Sequence, residues 1–201
     1  FNNVMRYNFY VIPDDTPPIL DIVIDGKHIL NGDIISPEPL ILIRLDDENK
    51  YLVQNDPSKF KILFQKPGED NKTIPIDSSV IHFISGDSSK NMAQIEFDPG
   101  HLNDGIYWLR VRAQDRSDNK SGNREYAISF EVVDESSITY FFNYPNPFST
   151  STRFVFTLTG IKVPDHIKIK ILTITVKVIR EITKEELCTI FIGNNISDFV
   201  L

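Results

Sequence analysis

Apolar residues in this 201-residue chain fall in short runs rich in Ile, Val and Phe, separated by clusters of Gly, Pro, Asp, Asn and Ser. That spacing predicts strands rather than helices. Ile19-Leu20-Asp21-Ile22-Val23-Ile24-Asp25 carries the β-branched bias of a sheet strand, and Gly26 ends it. Residues 40–45 are apolar on both faces until Arg44, as expected of a central strand. Residues 60–64, 80–84 and 92–97 read as further strands. The clearest alternation runs over 106–113, where Tyr107, Leu109, Val111 and Ala113 share one face and Ile106, Trp108 and Arg110 share the other. Trp108 lies inside that strong strand and is expected in a sandwich core. A polar turn over 115–122 leads into a strand at 126–133. No segment of helical length shows a 3.6-residue period; residues 181–187 are the best candidate, at about two turns.

Seven short strands in about 120 residues, with turns at sandwich-like intervals, predict an immunoglobulin-like β-sandwich over residues 13–135. A second unit is expected over 136–201, with strands at 153–158, 167–174 and 177–182. Charge shifts at the same boundary. Residues 1–135 hold 14 basic and 23 acidic residues, net −9, and residues 136–201 hold 7 and 5, net +2, which together give the chain's −7. The fold class is therefore all-β, with two tandem immunoglobulin-like sandwiches. Residues 7–12 read as a strand closed by the Pro-rich step 13–18, so residues 1–12 are expected to be the last strand of a preceding domain. Residues 196–201 stop within another strand-like run, and the chain reads as a piece of a longer protein.

An acidic balance of this kind argues against nucleic acid as a partner, which would require clustered positive charge. No apolar run approaches the ~20 residues of a membrane-spanning helix, so membrane insertion is not expected. Cys188 is the only cysteine, which excludes an intrachain disulfide and a multi-cysteine zinc site. His28, His82, His101 and His166 form no close pair. Pattern alone thus reaches a β-rich chain without visible catalytic machinery.

The most specific string is Asn143-Tyr144-Pro145-Asn146-Pro147-Phe148-Ser149-Thr150-Ser151-Thr152. Prolines at alternate positions hold a segment extended and deny it ladder donors. Tyr144 and Phe148 are expected to pack as anchors, and Ser149 to Thr152 to offer hydroxyls to local backbone groups. With Lys168-Ile169-Lys170-Ile171-Leu172 and Val178-Ile179-Arg180-Glu181, the string resembles the FlgD-like immunoglobulin module that closes many exported proteins of Bacteroidota using type IX secretion. The stretch from Asp15-Thr16-Pro17-Pro18 through Asp104-Gly105-Ile106-Tyr107 to Asp115-Arg116-Ser117-Asp118-Asn119-Lys120-Ser121-Gly122 is similar to the Ig-like module that precedes it. The resemblance implies an exported, cell-surface or extracellular location and a non-catalytic structural or spacer role. Partners would be neighbouring domains of the same parent chain, such as an upstream gingipain-like peptidase, and secretion or cell-surface components. An adhesion or carbohydrate-binding module is the alternative.

Departures from the family pattern are specific. The turn that usually reads Thr-Gly-Lys is Thr175-Val176-Lys177, placing a β-branched residue where positive φ is expected. Another usual glycine is Cys188, and the usual Trp-Asp-Gly step and final hairpin are absent. The second sandwich is therefore expected to be incomplete at its C-terminus, with an open edge.

No catalytic residue is assigned: Cys188 has no glycine-rich oxyanion segment around it, and an incidental thiol is expected. No resident cofactor is expected, and Ca²⁺ is the one ion weighed. Asp46-Asp47-Glu48-Asn49 and Asp115, Asp118, Asn119 are oxygen-rich loop clusters of the kind a hard cation favours, although they lie on different turns and such residues favour turns anyway. Lys162, Lys168, Lys170, Lys177 and Arg180 alternate along two strands and read as one solvated sheet face. The Asn-x-Ser/Thr sites at Asn71, Asn119 and Asn195 mean little in a bacterial context.

Overall fold

The computed structural model describes residues 4–10, 13–70, 72–187 and 189–200. The fold is all-β. Nine strands form the first unit: β1 (Ile19–Ile24), β2 (Asp33–Ile35), β3 (Ile41–Asp46), β4 (Phe60–Gln65), β5 (Lys72–Ile74), β6 (Ile81–Ile84), β7 (Met92–Phe97), β8 (Gly105–Ala113) and β9 (Tyr126–Val132). Five more follow: β10 (Ser137–Tyr144), β11 (Ser151–Thr159), β12 (Lys168–Leu172), β13 (Val178–Thr183) and β14 (Gly193–Val200). The expected two-turn helix over 181–187 shrinks to a single 3-10 turn, Lys184–Glu186, because Thr183 caps it and the preceding residues are held in β13.

The first unit packs the sheet β1-β3-β7-β6 against the sheet β2-β9-β8-β4-β5. Every pairing in it is antiparallel except β2 with β9. The alternation in β8 sorts its faces: Tyr107, Leu109, Val111 and Ala113 are buried, while Ile106 and Trp108 are exposed. The expectation that Trp108 fills the core is thus corrected. It shares its face with Ile106 and lies 41% exposed, whereas Tyr107 is the core aromatic. The Tyr107 ring stacks between Phe64 and Phe130, with centroids 5.6 and 5.8 Å away, and its hydroxyl donates to the Asn103 carbonyl at 2.9 Å. A tyrosine suits this place because its polar tip finds a partner at the edge of an otherwise apolar core.

The second unit packs the three-stranded sheet β10-β11-β14 against the two-stranded sheet β12-β13. Phe154, Phe156, Leu158, Ile169, Ile182 and Phe199 form most of its separate, smaller core. The turn between β12 and β13 puts Val176 at φ +63° with its side chain 74% exposed. A β-branched residue is a poor occupant of left-handed backbone, at a cost of about 1–2 kcal/mol, offset in part by the ~0.5–1 kcal/mol entropic cost of glycine. Val176→Gly is therefore expected to stabilise this unit by roughly 0.5–1 kcal/mol. A rise in its thermal midpoint checks this, and a fall would show that the valine is held there by something other than the turn. Only Lys168 and Lys170 share the solvated face: Arg180 pairs with Ile171 on the opposite, core-facing side, where it lies 5.0 Å over the Phe199 ring, so the expected single basic face is corrected. Lys168 and Lys170 both reach Glu181, at 2.8 and 3.4 Å, and Arg180 reaches Glu186 at 3.0 Å.

The two units meet in a built joint. Lys27 Nζ donates to the Ile192 carbonyl at 3.0 Å and lies 5.1 Å over the Phe191 ring. Ser36 Oγ donates to the Ile161 carbonyl, and Asn194 Nδ2 to Asp33. Gly193 sits at φ +99°, so close to β2 that a Cβ would lie 2.3 Å from the Ile34 carbonyl oxygen. Residues 4–10 pair with no strand. Over the described part of 7–12 no ladder forms with another described strand of this chain; Val11 and Ile12 lie outside the described residues. Cys188, Asn71 and Leu201 lie outside them too.

Candidate cation site

Three carboxylates from three separate loops converge at one end of the first sandwich. Asp14 comes from the Pro-rich segment before β1, Asp47 from the loop after β3, and Asp115 from the loop after β8. Each offers an oxygen within 4.8 Å of the others. Asp47 and Asp115 are buried, and Asp14 is half-buried. Topology explains the meeting: β3 and β8 lie in opposite sheets and finish at the same end, so the two loops that follow face each other across the sandwich.

Neutral donors hold the group in place. Asp115 Oδ1 accepts from the backbone N–H of Ser117 and Asn119, at 2.7 and 2.8 Å, and its Oδ2 accepts from Asn119 Nδ2 at 2.8 Å. Asp47 Oδ2 accepts from Gln54 Nε2 at 2.8 Å, and Asp14 Oδ2 from Asn49 Nδ2 at 2.7 Å. Asn119 Nδ2 also donates to the Asp14 carbonyl at 2.8 Å, which ties the incoming chain to the sandwich. Behind them, Asn91 is 3% exposed. Its Oδ1 accepts from Gln54 N at 2.6 Å, and its Nδ2 donates to the carbonyls of Asn49 and Leu52. Among the described residues, no lysine, arginine or histidine forms an ion pair with Asp14, Asp47 or Asp115.

Burial pushes the Asp47 carboxyl above its ordinary value of 3.8. The charges of Asp14 and Asp115 push the same way, against hydrogen bonds from Asn49 and Gln54. The folded state therefore holds the Asp47 proton more tightly than the unfolded chain does. Its stabilising contribution is complete below the ordinary carboxylate range and is lost as pH rises through the folded value. Carboxyl-detected NMR is expected to show Asp47 titrating above 3.8; a midpoint at or below that value would mean that the hydrogen bonds outweigh burial. An all-oxygen set of closely spaced carboxylates is what a hard cation such as Ca²⁺ takes.

Sequence pattern placed Asp47, Asn49, Asp115 and Asn119 in two separate clusters, and the fold joins these four. Asp46 and Glu48 point to solvent, and Asp118 pairs with Lys59 instead. In the sequence Asp14 is only one residue of the Pro-rich step over 13–18. Its sole local signal was an acidic residue fixed by proline neighbours, which says nothing of the loops 33 and 101 residues further on.

The Asn143–Phe148 motif lies elsewhere, at the far end of the second unit. Both Tyr144–Pro145 and Asn146–Pro147 are cis. Thr152 Oγ1 donates to the Pro145 carbonyl at 2.9 Å, and Asn143 Nδ2 to the same oxygen at 3.2 Å. Tyr144 is not the anchor expected of it. It pairs with Arg153 on the outer face of β10 and is 69% exposed, while Phe148 is half-buried and Thr152 is buried.

The sequence matches no protein-family model. No curated protein matches it either. Among solved structures, the chain is similar to part of the dimeric latent PorU from Porphyromonas gingivalis, at 17% identity and a TM-score of 0.43, over 95% of this chain and 17% of that one. The chain thus spans about a sixth of the PorU chain. Among the described residues, no helix is long and apolar enough to cross a membrane.

Proposed function

We propose that this chain is a non-catalytic spacer of an exported cell-surface protein: two immunoglobulin-like sandwiches in tandem that carry a larger neighbouring domain of the parent chain, such as a gingipain-like peptidase. One observation carries the reading. The incoming chain is fixed by Asp14 at one end of the first sandwich, the joint lies at its other end, and β14 runs from the joint to the far end of the second unit. Load or position applied at one end is thereby passed through a built contact to the other. Neighbouring domains are the first partners in this reading, and secretion or cell-surface components the next.

Dyes on the exposed Lys50 and Lys177 positions, with Cys188 replaced by serine, test the rigidity. Energy transfer should report one narrow distance. A broad distribution would mean a hinge, and hydrolysis of a general peptide substrate by the unlabelled chain would end the non-catalytic reading.

Within this reading the acidic cluster is the staple for the incoming chain, and Ca²⁺ is the cation assigned to it. Millimolar calcium is expected to raise the melting temperature of the native chain and leave that of Asp115→Asn unmoved. Equal responses would leave the cluster as a hydrogen-bonded staple alone. The outward-facing Trp108 favours the second reading, a carbohydrate-binding face. As the chain's one tryptophan, it would report saturable glycan binding directly through its fluorescence.

A further inference from the structure

The outer face of the sheet β2-β9-β8-β4-β5 carries an aromatic and basic row. Alternation along β8 puts Ile106, Trp108, Arg110 and Arg112 on that face. Trp108 and Arg112 stand four residues apart, about 13 Å along the strand. Gln65 on β4 and Ser129 on β9 flank Trp108, and Lys61 on β4 stands opposite Arg112.

At its Arg112 end the row opens into a cleft of about 680 Å³ between the end of β8 and residues 120–125, which lead into β9. That volume falls within the roughly 300–1,000 Å³ of small-ligand sites. Arg112, Lys120 and Arg124 are the cations of the cleft, and Glu125 is its carboxylate. Glu125 is shared, with its oxygens 2.8 Å from Arg112 and 3.8 Å from Arg110. One carboxylate against two guanidiniums leaves positive charge over. Among the described residues, the side chains of Lys120 and Arg124 have neither an ion pair nor a hydrogen bond. Asp118, on the neighbouring turn, is taken up by Lys59. The cleft is thus cationic although residues 1–135 carry a net −9, and it draws anions that the rest of that unit repels.

We propose that this row and cleft bind an acidic glycan, a sugar chain bearing carboxylate or sulfate groups, with one ring packed on Trp108 and the acidic groups on Arg112, Lys120 and Arg124. The proposal rests on the carbohydrate-binding reading of Trp108 and names the ligand class of that site. The indole offers a flat apolar surface with a polar edge, which suits a ring that is apolar on its faces and polar around its rim. The guanidinium fork of Arg112 or Arg124 takes two oxygens of one oxyanion, and Lys120 adds a point charge.

Charge sets the direction in which the ligand lies. Glu131 on β9 stands opposite Ile106, at the end of the row away from the cleft, so acidic groups are repelled there and gathered at Arg112. An acidic peptide could fill the cleft, but it would leave Trp108 without a partner. The separation of indole and cations asks instead for an extended ligand that carries both rings and charge. Every residue of the site lies between 61 and 131, in this sheet or the loop that joins β8 to β9. No part of it comes from the segments at either end of the chain.

Calorimetry and Trp108 fluorescence with three trisaccharides test this: galacturonate trisaccharide, sulfated galactotriose and neutral galactotriose. An acidic probe should bind saturably, shift the Trp108 emission and bind roughly tenfold or more tightly than the neutral one; the better of the two tells carboxylate from sulfate. Lys120→Ala/Arg124→Ala should bind that acidic probe roughly tenfold or more weakly and the neutral one as before. Both side chains are exposed and unpaired, so the melting temperature of the double variant should not move. Trp108→Ala should weaken the acidic probe in calorimetry. Neutral binding as tight as acidic, or acidic binding unchanged in the double variant, would overturn the proposal and leave the carbohydrate-binding reading standing. No saturable binding of any of the three would end both. Tighter binding of hexa-aspartate than of either acidic sugar, with the Trp108 emission unmoved, would assign the cleft to a protein partner and overturn the proposal as well.

Discussion

Replacing Asn91 with alanine is expected to cost the first unit roughly 2–4 kcal/mol, the larger of two effects that follow from how its loops are held. Asn91 lies just before β7, outside the sheets. It is a buried amide whose two ends serve backbone groups of the loop after β3: the Gln54 N–H and the carbonyls of Asn49 and Leu52. Alanine leaves those three without their partner in a place where neighbouring side chains are buried, and each unsatisfied buried group costs about 1–3 kcal/mol, less wherever water enters. Urea unfolding should show a lower midpoint with an unchanged slope. A loss below about 1 kcal/mol would mean that solvent replaces the amide. Asn91→Asp sharpens the test. It keeps an acceptor for Gln54 but loses both donated bonds, and it sets a fresh carboxylate against Asp47, whose Oδ2 lies 3.4 Å from the amide nitrogen. It should therefore be worse than alanine at neutral pH and approach it in acid.

The same loop shows what could and could not be read from residue order. Strands with strong alternation were legible because burial of one face is a local pattern, and β8 displays it without interruption. Reading which face is buried is harder. Trp108 drew the core assignment by its place inside a strong strand, yet the face it shares with Ile106 and Arg110 is the outer one, and the apolar run Tyr107, Leu109, Val111, Ala113 is the better guide. Strands β2 and β5 escaped notice because three residues are too few for a period; they exist by pairing with β9 and β4. The cation site was half legible. Turn-forming Asp and Asn mark loops from sequence alone, but which loops meet is decided by the sheet order, and Asp14 enters the site only through that order. The positive φ at Val176 was legible from the turn itself, as was the presence of a fixed turn around Pro145. That turn is fastened by Thr152 rather than Tyr144, because Tyr144 falls on the outward parity of β10.

Gly193→Ala should loosen the joint between the two units without unfolding either. Gly193 opens β14 at φ +99°, backbone that a side chain rarely adopts, and its missing Cβ is what lets β14 lie against β2. A methyl group there would stand 2.3 Å from the Ile34 carbonyl oxygen and 3.3 Å from Lys27 Nζ. The amine can swing away, but the carbonyl belongs to β2, which is held along β9. The strain of such backbone is about 1–3 kcal/mol before the clash is counted. The chain can escape both by drawing β14 away from β2. Lys27 would then lose the Ile192 carbonyl and the Phe191 ring, and Asn194 would lose Asp33. Amide exchange should accelerate in β2 and at the start of β14, while β3 and β7, in the opposite sheet, keep their protection. The distance between Lys50 and Lys177 should broaden in parallel. Lys27→Met, which keeps the apolar stem but not the charge, should show a weaker form of the same change, about 1 kcal/mol. Unchanged protection and a narrow distance in Gly193→Ala would mean that the two sandwiches are held by their connecting segment and not by this contact, and the rigid spacer would lose its physical basis.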